Sequence, residues 1–275
     1  MDPILQKGVG LVTGAASGMG QQIAIKLAQQ GCTKILCVDL NDAGLQETKK
    51  LVEKVSSATE VALYLADVSD SKSVKGMVDE CVSRFGRLDF AANNAGIGLG
   101  GTRTHETDVA LYEKLYRVNE KGVYLCTKYE VQQMLKQEPL DWSQGDERKQ
   151  RVFRGSIVNT CSLSGTASVP TLSCYNSVKH AVVSMTKVDA RQYAPQGIRI
   201  NAVSPGFTLT PMLMGGGAGL SEDFYDGSKA QSPMNRLTFP EEVAETVCFL
   251  SGFRASGITG VNLHVDAGAS LFHVI

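Results

Sequence analysis

A tyrosine and a lysine stand four residues apart in the stretch "SCYNSVKHAVVSM", as Tyr175 and Lys179. Because residues i and i+4 are neighbours on a helix, we expect the two side chains to share one helix face. An ammonium about 4–5 Å from a phenol stabilises the phenolate by about 3–4 kcal/mol at an effective dielectric near 20. Such a phenolate can take a proton from an alcohol, and the phenol can return one to a carbonyl. The pair therefore predicts proton transfer at a substrate oxygen.

A serine that could hold this oxygen lies 13 residues before Tyr175, since Ser162 follows the apolar run "SIVNT". From the end of a strand its hydroxyl can face the start of the next helix, orient a carbonyl and stabilise its developing negative charge. A lone loop serine and a lone Tyr-x-x-x-Lys pair are both common in proteins without this chemistry. The signal comes from their occurring together, in this order, downstream of a glycine-rich turn.

The glycine-rich turn is "TGAASGMG" from Thr13, which places Gly14, Gly18 and Gly20 between a strand and a helix. Glycines let the backbone turn sharply and approach a pyrophosphate, whose charge is met by the N–H groups at the helix N-terminus. Ser17 and Met19 belong to the same predicted cofactor contact. Tight packing of the strand on the helix is the alternative explanation.

Two acids follow later strands at places suited to the adenosine half of a dinucleotide. Asp39 ends the second strand, about 20 residues after the glycines, where a carboxylate can bond a ribose and repel a 2′-phosphate. Neither Ser17 nor Leu40 supplies a basic side chain, so NAD is favoured over NADP. Asp67 and Val68 follow the third strand and are placed for adenine. The alternative for each acid is a helix cap or turn residue.

Strand-length apolar runs alternate with helical segments along the whole chain. The runs begin at Val9, Lys34, Val61, Leu88, Ser156, Ile198 and Val261. Strands that are apolar throughout and alternate with helices predict a doubly wound α/β domain, with a parallel sheet covered on both faces. We expect one domain over residues 1–275, with ligands bound in the loops after the strands.

Two segments break this alternation. Residues 136–155 are polar and charged, and we interpret them as a surface excursion. Residues 207–239 contain three consecutive glycines beside Met212, Leu213 and Met214, which indicates an apolar substrate flap.

Composition narrows the classes of function. The chain has 275 residues, a formal net charge of −1 and 43% hydrophobic residues. Without a long run of like charge or an apolar run of about 20 residues, neither a nucleic-acid partner nor a membrane span is expected. The seven cysteines and four histidines are scattered, so we expect no metal site. An odd number of dispersed cysteines without a C-x-x-C motif favours reduced thiols and a cytoplasmic location.

The combined motifs resemble those of the short-chain dehydrogenase/reductase family, in its single-domain subgroup with TGxxxGxG and YxxxK motifs. The resemblance covers nearly the whole chain, and its segments are "TGAASGMG" from Thr13, "NNAG" from Asn93, "YRVNEKG" around Asn119, "IVNTCSLSG" from Ile157, "YNSVK" from Tyr175, "NAVSPG" from Asn201 and "ITGVNLHVDAG" from Ile258. It implies a Rossmann-type, seven-stranded parallel sheet in a three-layer α/β/α sandwich, a nicotinamide cofactor, and a homotetramer or homodimer.

The resemblance also implies roles for individual residues. Tyr175 would be the acid/base, Ser162 the donor to the substrate oxygen, and Lys179 a contact of the nicotinamide ribose. Asn119 would hold a water in the proton relay; relief of a helix irregularity is its alternative role, compatible with the first. Further cofactor contacts would come from Asn93, Ala95, Gly96, Pro205, Gly206, Thr208 and Thr210.

The expected function is NAD-dependent interconversion of a secondary alcohol and a ketone by hydride transfer. An apolar pocket is expected from Leu99–Gly100, Leu163, Val169–Leu172, Phe207, Met212 and Met214. It favours a bulky hydrophobic substrate such as a terpenoid, steroid or polyketide of secondary metabolism. The alternative is a cofactor-binding sensor or scaffold without redox turnover, or one guiding a cyclisation. Cys161 and Cys174 border the catalytic serine and tyrosine, where packing is favoured over a redox switch.

Overall fold

The structure is a computed structural model that describes Leu5 and residues 8–98, 101–141, 152–215 and 222–272. The strands among these residues are β1 (Val9–Thr13), β2 (Lys34–Asp39), β3 (Glu60–Leu65), β4 (Phe90–Asn93), β5 (Leu140–Asp141), β6 (Val152–Phe153), β7 (Gly155–Thr160), β8 (Ile198–Pro205) and β9 (Asn262–Val265). The α-helices are α1 (Gly18–Gln29), α2 (Asp42–Val55), α3 (Ser71–Phe85), α4 (Val109–Leu115), α5 (Gly122–Met134), α6 (Ser173–Tyr193), α7 (Glu222–Ala230) and α8 (Pro240–Ser251).

Seven strands form one parallel sheet in the order β3-β2-β1-β4-β7-β8-β9. The central strands are buried along their whole length, which explains why their sequences are apolar throughout. The direction of winding reverses between β1 and β4. In open α/β sheets, ligands bind outside the carboxyl ends of the strands at such a reversal.

Helices cover both faces of the sheet. On one face α1, α2 and α8 supply buried apolar side chains such as Ile23, Leu45 and Val247. On the other face α3 and α5, with the end of α6, supply residues such as Met77 and Met134. The expected three-layer, Rossmann-type α/β/α sandwich with a seven-stranded parallel sheet is therefore confirmed.

The two segments that interrupt the alternation are described in part. Within 136–155, β5 and β6 form a short antiparallel pair, and Gln137 donates to the carbonyl oxygens of Leu88 and Arg154 at 2.8 and 3.0 Å. Residues 142–151 lie outside the described residues. Within 207–239, Thr208 and Thr238 form a β-bridge and α7 follows later in the segment, whereas residues 216–221 lie outside the description.

The cysteines are all described and all unpaired; six are buried and Cys174 is half-buried. No helix in the described ranges is long and apolar enough to cross a bilayer. Those ranges also contain no cluster of three or more His, Cys, Asp or Glu side chains that could hold a metal ion.

Candidate active site

A threonine hydroxyl joins the two strands at the winding reversal. The Oγ1 atom of Thr13, at the end of β1, accepts hydrogen bonds from the backbone N–H groups of Asn94 at 3.0 Å and Ala95 at 3.1 Å. The loop after β4 is thereby fixed beside the glycine-rich turn. The sequence analysis did not identify this role, although Thr13 opens the motif.

The glycine-rich turn leaves no room for larger side chains at its closest approaches. Gly14 and Gly18 have φ angles of +67° and +54°, which favour glycine. A Cβ atom at Gly14 would lie 2.8 Å from the Cα of Ala95, and one at Gly20 would overlap the carbonyl oxygen of Gly14. The backbone forms a tight cradle at the start of α1.

The N-terminus of α1 is suited to an anion. Ser17 occupies the N-cap position, is exposed and makes no capping hydrogen bond with its side chain, and the first turn contains no acidic residue. Free N–H groups and the positive end of the helix dipole favour a phosphate there. With the cradle formed by the glycines, these features fit the pyrophosphate of a dinucleotide. Met19 is half-buried in the same turn.

Asp39 organises the same turn. One carboxylate oxygen accepts from the N–H of Ala16 at 3.0 Å, and the other accepts from Leu40 at 2.7 Å and Asn41 at 3.1 Å. The carboxylate therefore ties the end of β2 to the glycine-rich turn of β1. The sequence predicted the position of this acid near the cradle but not its bond to Ala16.

The residues expected around adenine differ in exposure. Leu40 is 71% exposed beside Asp39. Asp67 is exposed and accepts from the N–H of Ser69 at 2.8 Å, as a turn residue does. Val68 is buried and lies against Gly122, where an added Cβ would be 3.0 Å from its Cγ2. The turn role of Asp67 is present, and its contact with adenine stays a prediction.

Asn119 clamps the loop after β4 from a helix irregularity. It is fully buried in a π-helical segment, Tyr116–Lys121, between α4 and α5. Its amide accepts from the N–H of Ile97 and donates to the carbonyl of Ile97, both at 2.8 Å. An added Cβ at Gly96 would lie 3.2 Å from its Oδ1. The helix irregularity expected at Asn119 is present, its two bonds to Ile97 were not predicted, and its role in a water relay stays a prediction.

Asn93 is buried at the end of β4. Its amide nitrogen donates to Glu130 at 2.9 Å and to Asn159 at 3.0 Å. Contact between this position and a cofactor would therefore come through the backbone. The half-buried Ala95 and Gly96 follow in the loop.

Tyr175 and Lys179 lie on the first turns of α6, beside the end of β7. Lys179 is 5% exposed, and its ammonium donates to the carbonyl of Thr160 at 3.0 Å. The same Nζ atom lies 5.7 Å from the centroid of the Tyr175 ring. The helical spacing thus brings the ammonium next to the phenol, as the sequence predicted.

Ser162 follows β7 and begins a short 3₁₀ turn. Its Oγ accepts from the N–H of Ser164 at 3.1 Å. This bond uses a lone pair of the hydroxyl and leaves its hydrogen available for another oxygen. The hydroxyl is half-buried, as expected for a group that meets a ligand from the protein side.

A small hollow opens beside Tyr175. It is lined by Thr102, Thr107, Leu111, Leu115, Thr171, Leu172, Cys174 and Tyr175. Among the described residues expected to contact substrate, Thr171, Leu172 and Tyr175 line it, whereas Val169 and Pro170 do not. Thr102 and Thr107 were missed because their segment has no apolar periodicity. Their hydroxyls lie 2.7 Å apart and make the hollow partly polar.

The other residues expected to contact substrate lie elsewhere. Leu163 is buried with Ala167 and Ala269, so it supports the loop behind Ser162. Phe207 and Met214 are half-buried, and Met212 is 53% exposed. Met212 also lies against Gly98, where an added Cβ would be 3.0 Å from its sulfur. Leu99 and Gly100 lie outside the described residues.

The loop after β8 packs on the cofactor cradle. Pro205 ends β8, and an added Cβ at Gly206 would lie 2.8 Å from the Cβ of Asp266. Thr208 and Thr210 are buried, and their hydroxyls donate to the carbonyls of Gly206 and Thr208 at 3.1 and 3.3 Å. A Cβ at Gly18 would lie 3.3 Å from the Cγ2 of Thr210. The start of the flap thus contacts the glycine-rich turn directly.

Cys161 is shielded beside these residues. It is 3% exposed, and its thiol donates to the carbonyl of Lys179 at 3.2 Å. Burial raises the pKa of Cys161, against a lowering by the Lys179 ammonium. The neutral thiol is favoured, which argues against a nucleophilic role.

Comparison with known proteins places this chain in a family. A family model described as Enoyl-(Acyl carrier protein) reductase matches residues 14–270. A short-chain dehydrogenase of Penicillium roqueforti, anuF, is 35% identical over 267 residues, covering 96% of each chain. The chain belongs to the short-chain dehydrogenase/reductase family. Members of this family are oxidoreductases that bind a nicotinamide cofactor, and the cradle described above fits that group.

Two further members of the short-chain dehydrogenase/reductase family are similar over nearly their whole length. A cyclohexanol dehydrogenase of Acinetobacter is 34% identical over 260 residues, covering 94% of this chain and 93% of the relative. The crystal structure of a carveol dehydrogenase from Mycobacterium avium in complex with NAD has a TM-score of 0.84 and 27% identity. It covers 98% of this chain and 100% of that one. An oxidoreductase acting on alcohols or ketones is therefore supported.

Proposed function

We propose that this protein is an NAD-dependent dehydrogenase or ketoreductase that interconverts a secondary alcohol and a ketone on a bulky hydrophobic substrate. The observation that carries the proposal is the placement of the Lys179 ammonium 5.7 Å from the Tyr175 ring, at the strand end that leads to Ser162. A nicotinamide cofactor supplies the hydride acceptor or donor when it is bound.

The chain's own residues would handle the proton. The Ser162 hydroxyl, polarised by the Ser164 N–H, donates to the substrate oxygen and orients it. The Tyr175 phenolate takes the proton of an alcohol, and the phenol returns it to the oxygen of a ketone. The buried Lys179 ammonium, which donates to the neutral carbonyl of Thr160, places a positive charge beside the Tyr175 ring, where negative charge develops as the proton leaves. Asn119 fixes the loop that faces this chemistry through its two bonds to Ile97.

The preference for NAD rests on Asp39. Its carboxylate is held next to the cradle by three N–H groups, and no cationic side chain among the described residues forms an ion pair with it. A 2′-phosphate would meet this negative charge, whereas a ribose hydroxyl could donate to it. The NAD complex of the related carveol dehydrogenase is consistent with this preference.

The proposed substrate is a cyclic or polycyclic secondary alcohol, such as a terpenoid, steroid or polyketide. Leu111, Leu115 and Leu172 give the hollow an apolar wall, and Met212 lies at the start of the flap. A cyclohexanol dehydrogenase among the relatives supports a ring-bearing substrate. A role in secondary metabolism is part of the same proposal.

We also propose a homotetramer or homodimer. Exposed apolar side chains cluster on α4, the π-helical segment and α5, with Val109 at 68% and Tyr124 at 52% exposed. Such faces are typical of interfaces between subunits. Light scattering coupled to gel filtration would give the assembly directly. The seven free thiols support a location in a reducing compartment, the cytoplasm.

The function is tested by incubating the purified protein with NAD or NADP and a panel of secondary alcohols. We expect reduced nicotinamide to appear with NAD and cyclic apolar alcohols, and little with NADP or with sugar phosphates. Absence of turnover across the panel, in both reaction directions and with both cofactors, would contradict the proposal.

A further inference from the structure

Helix α5 carries a glutamate in the interior of the protein. Glu130 is completely buried among apolar residues that include Val131 and Met134. The Nδ2 atom of Asn93 donates to its Oε2 at 2.9 Å and to Asn159 at 3.0 Å. Asn159 in turn donates to Thr186 at 3.0 Å. One chain of side chains therefore connects α5, β4, β7 and α6 beneath the candidate site.

Two acceptor oxygens in this series of linked side chains have no donor, and both belong to the Glu130–Asn93 pair. They are Oε1 of Glu130 and Oδ1 of Asn93. Buried acceptors without donors are rare because each costs the free energy of its lost hydration. A proton on Oε1 would give this oxygen a hydrogen to donate to Oδ1 of Asn93. One proton would then satisfy both oxygens in a two-point bond between a carboxylic acid and an amide.

The surroundings of Glu130 disfavour its charged form. Burial raises the pKa of Glu130 from 4.5 to about 8, although the bond from Asn93 opposes this shift. The titratable groups that interact with it are the thiols of Cys126 on α5 and Cys81 on α3. Burial raises the pKa of both thiols, so both are neutral. The residues that β4, β7 and α6 contribute to the chain are Asn93, Asn159 and Thr186, which carry no charge.

We propose that Glu130 is a protonated positioning residue, whose acid–amide pair with Asn93 holds the carboxyl end of β4 in place for cofactor binding. Asn93 is directly followed by the loop that Thr13 binds through Asn94 and Ala95 and that Asn119 binds through Ile97. The orientation of the Asn93 amide therefore affects the backbone on which the cofactor site is built. The link to cofactor binding rests on the proposed function.

Ionisation of Glu130 removes one of the two bonds in this pair. A carboxylate can only accept, so Oδ1 of Asn93 would again lack a donor next to a buried charge. The native state would then lose one of the hydrogen bonds that hold the loop after β4 in its described conformation. We expect cofactor affinity to fall by about tenfold as pH rises above about 8, which corresponds to loss of one hydrogen bond.

Three variants distinguish the effect of the proton on Glu130 from the effect of its hydrogen bonds to Asn93. Glu130→Gln keeps a donor and an acceptor for Asn93 but cannot ionise. Glu130→Leu removes both bonds at every pH. Glu113→Gln is the matched control, because Glu113 is an exposed acid on α4. Protonation is measured without cofactor by the infrared C=O stretch of a carboxylic acid. Cofactor affinity is measured by titration with NAD at about pH 6 and about pH 10.

We expect the acid band at neutral pH in wild type and in Glu113→Gln, its loss in Glu130→Gln, and its loss in wild type at high pH. We expect NAD affinity to fall about tenfold between the two pH values in wild type and less than about threefold in Glu130→Gln. Glu130→Leu should bind NAD more weakly at both pH values.

Absence of the band at neutral pH in wild type would overturn the proposal. The positioning role is equally overturned if Glu130→Gln and wild type lose NAD affinity to the same extent at high pH. If the band is present but neither NAD nor NADP binds at any pH, the acid–amide pair is upheld, whereas its positioning role and the proposed function both fail.

Discussion

Replacing Asp39 by asparagine tests how one carboxylate both shapes the cofactor cradle and selects the cofactor. The amide oxygen can still accept from Leu40 and Asn41, but the NH₂ group would face the N–H of Ala16. Loss of one hydrogen bond to a charged acceptor costs about 1.5–3 kcal/mol. We therefore expect the Kd for NAD to rise by roughly 10–150-fold.

The same change should relax the choice between NAD and NADP. A carboxylate about 5 Å from a phosphate charge repels it by about 3 kcal/mol at an effective dielectric near 20. Removing this repulsion should reduce the ratio of NADP to NAD dissociation constants by about a hundredfold. The two predicted effects have different causes, because the first concerns a bond to Ala16 and the second a charge.

The assay is calorimetric titration of each variant with NAD and with NADP. Asp42→Asn is the matched control, since Asp42 is an exposed acid three residues along, at the start of α2, and has no hydrogen bond to the glycine-rich turn. An unchanged NADP to NAD ratio in Asp39→Asn would refute the electrostatic reasoning. Equal losses of NAD affinity in both variants would refute the role of the bond to Ala16.

Two further substitutions test the cradle and the proton-transfer pair. Gly20→Ala places a Cβ into the carbonyl oxygen of Gly14, so unfolding free energy should fall by about 1–3 kcal/mol in urea titrations and NAD affinity should fall with it. Gly227→Ala, in α7, should be neutral or stabilising because the added Cβ meets no described atom within 4 Å apart from its chain neighbours and its own helix backbone; equal effects at both sites would contradict the cradle geometry. Lys179→Met removes the buried ammonium and should lower kcat by about a hundredfold or more, whereas Lys187→Met, at an exposed position of the same helix, should not. A kcat for Lys179→Met close to that of wild type would show that the ammonium does not assist the phenol.

Much of the sheet could be predicted because a buried parallel strand is apolar on both faces. The seven strand-length runs coincide with the seven strands of the parallel sheet to within two residues at their starts. The order of the strands in the sheet could not be predicted in this way, because the hydrophobic pattern carries no information on which strands are neighbours. The seven-stranded Rossmann arrangement was therefore implied only by resemblance. The pair β5 and β6 was not predicted, since strands of two residues have no detectable period.

The site could be predicted where one element carries several of its residues. Tyr175 and Lys179 share α6, so helical spacing alone brings them together. The bonds of Thr13 to Asn94 and of Asn119 to Ile97 join segments about 80 and 20 residues apart, and no local pattern encodes them. Tertiary contacts of this kind require the strand order first.

The burial of Glu130 did have a signal in the sequence. It stands four residues after Cys126 and four before Met134, on the same stripe of α5, and all three residues are buried. A charged residue in an apolar stripe indicates a specific buried partner. That partner, Asn93, could be identified only once β4 and α5 were packed together.

Turnover by Tyr175→Phe is the most direct test of the central claim that Tyr175 carries the proton during hydride transfer. Wild type and variant are compared at equal NAD saturation, with a cyclic secondary alcohol that wild type oxidises, by following the absorbance of reduced nicotinamide. The phenyl ring keeps the shape of the site but has no exchangeable proton. We predict that kcat falls by about a thousandfold or more while the Kd for NAD changes by less than about threefold. Turnover of Tyr175→Phe at the wild-type rate would contradict the account.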